Sequence, residues 1–196
     1  MRVARYMNGF RLADIINIED LELAKQCARG DEKARKELYT RYAGSLYALC
    51  IRYVGDRELA RDLMHDSIIK VFDTIGKYKP TGTLKSWVSR VTVNMVIDHM
   101  RRTKRFETVS LDSQQEKIPE PAKEEMRLVP KEELLKMVAR LPETKRLVFN
   151  MFCVDGYSHK DIAAMLRIKE KTSSSLLFKA REQLAGEVRE YLRRNG

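Results

Sequence analysis

The chain has 196 residues, with 38 lysines and arginines against 28 aspartates and glutamates, so its formal net charge is +10 and its pI is near 9.6. This length suits one or two small domains, and the positive charge favours a polyanionic partner such as nucleic acid. The sequence contains no apolar run that could span a bilayer and no signal-peptide pattern, so we expect a cytoplasmic protein without membrane insertion.

The residue types that carry metal or covalent chemistry are few and scattered. Cys27, Cys50 and Cys153 lie far apart, and the three histidines do not supply metal-ligand spacing either. We interpret the cysteines as reduced thiols on helix faces. The chain also has no glycine-rich phosphate loop and no nucleophile paired with a base, so we predict no metal, no cofactor and no enzymatic activity.

The first part of the chain is predicted to be helical after a short extension. We interpret residues 1–20 as an N-terminal extension, because their apolar residues show no firm period. A helical pattern then begins at Leu21 and stops at Gly30-Asp31. Asp31 is a good helix cap, and a second pattern follows it and stops at Gly55-Asp56.

The stretch from Asp56 to Ile75 has the three-and-four spacing of a helix with one buried face. The predicted buried positions are Ala60, Leu63, Met64, Ser67, Ile68, Val71, Phe72 and Ile75. The opposite side forms an acidic stripe that contains one apolar residue; it is made by Asp62, His65, Asp66, Ile69 and Asp73. Such a stripe could dock on a partner helix, or it could be an ordinary solvated face.

After a breaker from Lys77 to Thr83, another helical pattern runs from Leu84 to Arg105 and ends in a cluster of cations. This basic helix could lie along phosphates or, again, be simply solvated. Trp87 stands among apolar residues of this helix, so core packing is favoured over a contact with DNA. Together the helices predict an all-α domain over residues 21–105.

Residues 106–130 differ in composition from both flanking parts. They contain Pro119 and Pro121, few apolar residues and several acids, so we predict a flexible acidic linker. From Lys131 the helical pattern returns, and it predicts a second helical domain over residues 131–196.

The segment from Tyr157 to Leu184 predicts a helix-turn-helix. Ser158 and Asp161 form a capping box that starts the first helix, and a short turn around Arg167 leads into a second, basic helix. The outer positions of that helix can bond base edges or phosphates; they are Lys171, Thr172, Ser174, Ser175, Phe178, Lys179 and Arg181. A plain pair of packed helices with a solvated outer face is the alternative.

The motifs, taken in order from about Leu21 to Leu184, resemble the extracytoplasmic-function (ECF) group of sigma-70 family RNA polymerase sigma factors. The motifs that carry the resemblance are Ala34, Glu37-Leu-Tyr39, Tyr42, Ala60-Arg-Asp-Leu63, His65-Asp66, Trp87, Arg90, Asn94, Asp98 to Arg102, Leu141-Pro142, Arg146, Val148-Phe149, Gly156-Tyr-Ser158, Asp161-Ile-Ala163 and Thr172. The resemblance implies an all-α fold of two helical domains, a region 2-like domain and a region 4-like helix-turn-helix domain, joined by the acidic linker.

By this resemblance, four residues of the acidic stripe would bind the coiled coil of the largest polymerase subunit: Asp62, His65, Asp66 and Ile69. The breaker would capture an extruded base of the non-template strand, although an ordinary interhelical turn is the alternative. The implied minus-10 residues are Lys77, Lys79, Thr81, Gly82, Thr83, Arg90, Asn94, Arg101 and Arg102. The helix-turn-helix would read the minus-35 element with the outer positions given above, and the linker would thread through the polymerase, its charge mimicking RNA.

The resemblance therefore implies a transcription initiation factor whose partners are core RNA polymerase, promoter DNA and an anti-sigma factor. The sequence departs from the family at Arg167, Lys169, Lys171 and Ser174, where the family often has Gly, a capping Ser, Gly and a basic residue. We expect the fold to stay intact despite these departures. The affinity for the minus-35 element and the base sequence preferred there stay open. Two other interpretations stay open, a stand-alone helix-turn-helix regulator and a sigma-like decoy that titrates an anti-sigma protein.

Overall fold

The computed structural model describes the backbone of residues 12–103 and 127–195 and the side chains of residues 18–103 and 127–195. Every regular element in these two ranges is helical, which confirms the predicted all-α class. The predicted linker, residues 106–130, lies mostly outside the described residues.

Eight α-helices occur in the described ranges: α1 Leu12–Ala28, α2 Glu32–Val54, α3 Arg57–Thr74, α4 Leu84–Thr103, α5 Lys131–Arg140, α6 Glu143–Phe149, α7 His159–Leu166 and α8 Glu170–Asn195. A 3-10 turn, Ile75–Lys77, follows α3, and a π-helical turn, Asn150–Val154, follows α6.

The first helix begins earlier than the sequence pattern indicates. We predicted an extension over residues 1–20 and a helix from Leu21, whereas α1 starts at Leu12. The sequence between Gly9 and Gly30 contains neither glycine nor proline, so nothing in it interrupts the helix. The predicted extension therefore overlaps the first helix.

The described residues divide into two units. The first contains residues 12–51 and 56–96, and the second contains residues 52–55, 97–103 and 127–195. The predicted boundary between region 2 and the linker, at Arg105, falls outside the described residues and stays a prediction.

The core of the first unit follows the predicted helical period. In α3 the predicted positions are buried, except that Phe72 is only partly buried. Aspartates cap two helices at their N-termini: Asp31 accepts the Ala34 N–H and Asp56 accepts the Leu59 N–H, each at 2.8 Å. These caps satisfy N–H groups that have no partner within the helix. The sequence predicted the cap at Asp31, and the structure adds the cap at Asp56.

In the second unit, one buried arginine caps helix ends. Arg146 is 8% exposed, and its guanidinium donates to the backbone carbonyls of Tyr53, Val54, Ala139 and Leu141 at 2.8 to 3.1 Å. The last carbonyls of a helix lack partners within the helix and carry partial negative charge, so a cation is favourable there. Gly55, with φ of +75°, leaves the space this guanidinium needs, because a Cβ there would lie 3.2 Å from its Cζ atom.

Candidate functional site

One face of α3 is acidic and fully accessible. Asp62, His65, Asp66 and Ile69 are all exposed, and the Ile69 residue is 59% exposed although it is a large apolar residue. Their spacing of three and four places them in one stripe, opposite the buried face of the helix. We call these four residues the acidic face. It presents two carboxylates beside an exposed apolar residue, which suits a partner helix with basic and apolar residues.

The breaker forms a loop, residues 77–83, between the 3-10 turn and α4. Lys77, Lys79, Thr81, Gly82 and Thr83 are all exposed, as the prediction of a DNA contact requires. The loop therefore offers two ammonium groups, two hydroxyls and open backbone to a ligand.

Tyr78, in the same loop, points inward and is 7% exposed. Its hydroxyl donates to the Gly82 carbonyl at 2.7 Å, and its ring meets Trp87 edge-on with centroids 6.0 Å apart. Trp87 is partly buried, which agrees with the core packing favoured from the sequence. The loop is therefore held by buried contacts of Tyr78 with Gly82 and Trp87, which the sequence did not predict.

Helix α4 carries the other minus-10 candidates. Arg90, Asn94 and Arg102 are exposed, whereas Arg101 is partly buried. The Arg101 guanidinium pairs with Asp98 and donates to the Met165 carbonyl at 3.2 Å. Arg90 and Asn94 lie in the first unit and Arg101 in the second. To contact a phosphate, Arg101 would have to give up these bonds. Arg90 and Asn94 are already exposed to a ligand.

The helix-turn-helix is formed by α7 and α8. The predicted capping box is present: the Ser158 side chain accepts the Asp161 N–H, and the Asp161 carboxylate accepts the Ser158 N–H. These bonds lower the pKa of the Asp161 carboxyl. The predicted burial of α7 is also found, at Ile162, Ala163 and Leu166. Local sequence signals thus place this helix correctly.

The minus-35 candidates lie along the start of α8. Lys171 and Arg181 are exposed, whereas Thr172, Ser174, Ser175, Phe178 and Lys179 are partly buried. The Arg181 guanidinium lies 5.9 Å from the centroid of the Phe152 ring, so part of its face is already occupied.

Sequence analysis missed a side-chain link between the two helices of this motif. The ring of His159, the first residue of α7, has its Nδ1 2.9 Å from the hydroxyl of buried Ser173 on α8. The same ring stacks on Phe152 with centroids 4.5 Å apart. Burial, with the charge of Arg181 as a second cause, lowers the pKa of His159. The imidazole is therefore held neutral against α8.

The three cysteines differ in burial. Cys27 and Cys50 are buried and Cys153 is exposed, and burial raises the pKa of Cys50 to about 12. Within the described ranges, no three side chains among His, Cys, Asp and Glu come together as metal ligands. None of the helices described there is both long and apolar enough to cross a membrane.

Family comparisons match both helical parts of the chain. The model of Sigma-70 region 2 matches residues 38–106, and the model of Sigma-70, region 4 matches residues 131–184.

Individual relatives extend the match over most of the chain. The chain is 30% identical to the ECF RNA polymerase sigma factor SigE of Mycolicibacterium smegmatis over 84% of its own length, and it spans 65% of that relative. It is 27% identical to the ECF RNA polymerase sigma-E factor of Salmonella typhimurium over 90% of its length, spanning 98% of that protein. A solved structure of CnrH in complex with the cytosolic domain of CnrY matches with a TM-score of 0.49 and 19% identity, covering 87% of this chain and 97% of that one.

Proposed function

The chain belongs to the ECF group of the sigma-70 family of RNA polymerase sigma factors, and on that premise we propose that it is an alternative sigma factor. It binds core RNA polymerase, directs it to specific promoters and promotes DNA opening for transcription initiation. An anti-sigma factor is its further partner. The protein acts in the cytoplasm, where bacterial polymerase and promoters are.

The contact with polymerase is made through the acidic face of α3. Its carboxylates steer and orient a basic partner surface, while Ile69 supplies apolar area to bury. The exposure of all four residues supports this role. A stand-alone regulator would have no use for this face.

The minus-10 element is opened by the loop of residues 77–83 together with α4. An unstacked base needs a partner surface to offset the lost stacking, and the exposed hydroxyls and backbone of the loop can provide hydrogen bonds for it. Arg90 and Arg102 supply exposed cations for the phosphates, and Asn94 supplies an amide.

The minus-35 element is read by α8. Its small hydroxyl residues, Thr172, Ser174 and Ser175, leave room for a base edge to approach, and Lys171 reaches a phosphate. The family often has a basic residue at Ser174, whereas here the cations among these positions are Lys171, Lys179 and Arg181. Their contacts with phosphates should make the affinity fall as salt rises.

The factor carries out no chemistry of its own. Nucleotide addition belongs to the polymerase, and sigma-70 proteins act in general by binding. The chain therefore contributes binding energy alone. This energy recruits the polymerase, recognises the promoter sequence and offsets the free energy of strand opening.

Two rival functions predict different behaviour towards polymerase. A stand-alone helix-turn-helix regulator would bind its DNA equally well with and without core polymerase. A sigma-like decoy would bind an anti-sigma protein but would not open promoters. Only the proposed function requires core polymerase for promoter opening.

The exposed acidic face, with the exposed apolar side chain of Ile69 beside its carboxylates, is the observation that carries this proposal, and reversing its charge tests it. We expect Asp62→Arg/Asp66→Arg to weaken binding to purified core polymerase by about ten-fold or more, because attraction becomes repulsion across the interface.

The matched control is Glu19→Arg/Glu22→Arg, which makes the same charge change on two exposed residues of α1. It should bind core polymerase as the wild type does. A folded Asp62→Arg/Asp66→Arg protein with wild-type affinity for core polymerase would rule out this face as the polymerase contact.

A further inference from the structure

Asp20 of α1 is a buried carboxylate next to the proposed base-capture loop. It is 5% exposed. One carboxylate oxygen, Oδ2, accepts the N–H of Leu84 at 2.9 Å, and the other, Oδ1, lies 3.5 Å from Nη1 of Arg41. Burying a carboxylate is costly unless hydrogen bonds and an opposite charge compensate it. Asp20 has both, so its position is tightly defined.

The bond from Asp20 fixes the point where the loop ends. Leu84 is the first residue of α4, and its N–H is one of those that lack a partner within the helix. A carboxylate at this end is also favoured by the helix dipole. The local residue Thr83 caps a different group, because its Oγ1 accepts the Ser86 N–H at 3.2 Å. Asp20 therefore adds an anchor from a distant part of the sequence to a helix start that already has a local cap.

The other anchor of the loop is Tyr78. Its N–H bonds to the Ile75 carbonyl at 3.0 Å, and its hydroxyl crosses the loop to the Gly82 carbonyl at 2.7 Å. Lys79, Thr81 and Thr83 stay exposed around these two buried residues. The loop thus has a fixed interior and a polar exterior.

We propose that Asp20 and Tyr78 are positioning residues for promoter opening, because they hold the loop in the conformation that receives an unstacked base of the minus-10 element. This inference rests on the proposed function. A loop that is ordered before it binds does not lose that conformational entropy on binding, so it binds more tightly. Because its hydrogen-bonding groups are held in place, they do not rearrange to fit a different base, so the contacts discriminate more sharply between bases. Asp20 itself touches no DNA in this arrangement.

The test uses the full chain with core polymerase on a promoter that the wild type opens. Open complexes are measured on the duplex promoter and on duplexes with each non-template minus-10 base substituted. We expect Asp20→Ala to form about ten-fold fewer open complexes and to lose most of the preference among bases, while it binds core polymerase as the wild type does. Asp20→Asn keeps an oxygen that can accept the Leu84 N–H, so it should retain most of that preference.

Asp31→Ala is the matched control. Asp31 also accepts a backbone N–H at a helix start, that of Ala34 at 2.8 Å, but it lies at the start of α2, outside the loop. Its loss should lower the stability of the protein, as for other N-caps, and leave the base preference unchanged. General destabilisation is thereby separated from loop positioning.

Tyr78→Phe is a second, milder variant, because it removes only the hydroxyl that donates to Gly82 and keeps the buried ring. We expect it to reduce the base preference by about three-fold. Wild-type base preference in Asp20→Ala or in Tyr78→Phe would overturn the inference, as would an equal loss of preference in Asp31→Ala. A wild-type chain that opens no promoter with core polymerase would instead contradict the proposed function itself, and the positioning role with it.

Discussion

Arg167 ends α7 in the left-handed conformation, with φ of 56° and ψ of 44°. Its N–H bonds to the Ala163 carbonyl, which is the usual way for a helix to end when glycine stands at this position. A side chain in this conformation is strained by roughly 1–2 kcal/mol, because its Cβ crowds the backbone. The departure from the family at this residue, noted in the sequence, thus has a physical cost in the turn of the helix-turn-helix.

We expect Arg167→Gly to stabilise this motif by about 1 kcal/mol, because the strain disappears and outweighs the added flexibility of the unfolded chain. Amide hydrogen exchange measured by mass spectrometry should show about five-fold greater protection in α7 and α8.

The control for this prediction is Lys169→Gly, in the same turn. Lys169 is not among the residues with positive φ, so glycine relieves no strain there and should lower protection slightly. Unchanged or reduced protection in Arg167→Gly would show that the turn tolerates arginine without cost.

Residue roles could be predicted from the sequence where the partner is close along the chain. The capping box of Ser158 and Asp161 is an example, since both residues belong to one helical turn. Asp20 is the opposite case, because its partner Leu84 lies 64 positions away and no local pattern connects them. The anchoring of the loop therefore required the tertiary structure.

Among the elements, α3 could be predicted almost completely. Its buried face repeats every three or four residues, and Gly55 and Asp56 mark its start clearly. The start of α1 could not be predicted, because residues 12–20 have no clear apolar period and no capping signal. The π-helical turn Asn150–Val154 was also missed, since its hydrogen bonding depends on the packing around it rather than on a residue pattern.

The packing of α7 against α8 includes a titratable group. His159 bonds to Ser173, and its pKa is lowered mainly by burial and further by the charge of Arg181, while Glu170 acts in the opposite direction. The neutral imidazole is therefore favoured in the folded protein. Stability from this group is fully present above the unfolded pKa, near 6.5, and is lost as pH falls through the lower folded pKa.

We expect the free energy of unfolding to be lower at pH 5.5 than at pH 7.5, and His159→Gln to reduce this difference. Urea unfolding followed by circular dichroism at the two pH values, for the wild type and this variant, measures the effect. An identical pH dependence in the two proteins would show that His159 contributes nothing to it.

At the scale of the whole molecule, a net charge of +10 coexists with one acidic helix face. The sequence predicted two helical domains and the family correctly, because periodicity, caps and motif order are all encoded locally. The positions of the DNA-binding residues remain proposals, since exposure alone does not identify a ligand. Arg101 illustrates this, because its predicted phosphate contact competes with its bonds to Asp98 and Met165.

We propose that this chain makes core polymerase start transcription at particular promoters. The most direct measurement is transcription from a library of genomic fragments by core polymerase with and without the chain, followed by mapping of the RNA 5′ ends. We expect discrete start sites that require both proteins and share sequence elements about ten and thirty-five base pairs upstream. The upstream element would be read by one helix in the major groove. Start sites that do not change when a folded, core-binding chain is added would contradict the claim.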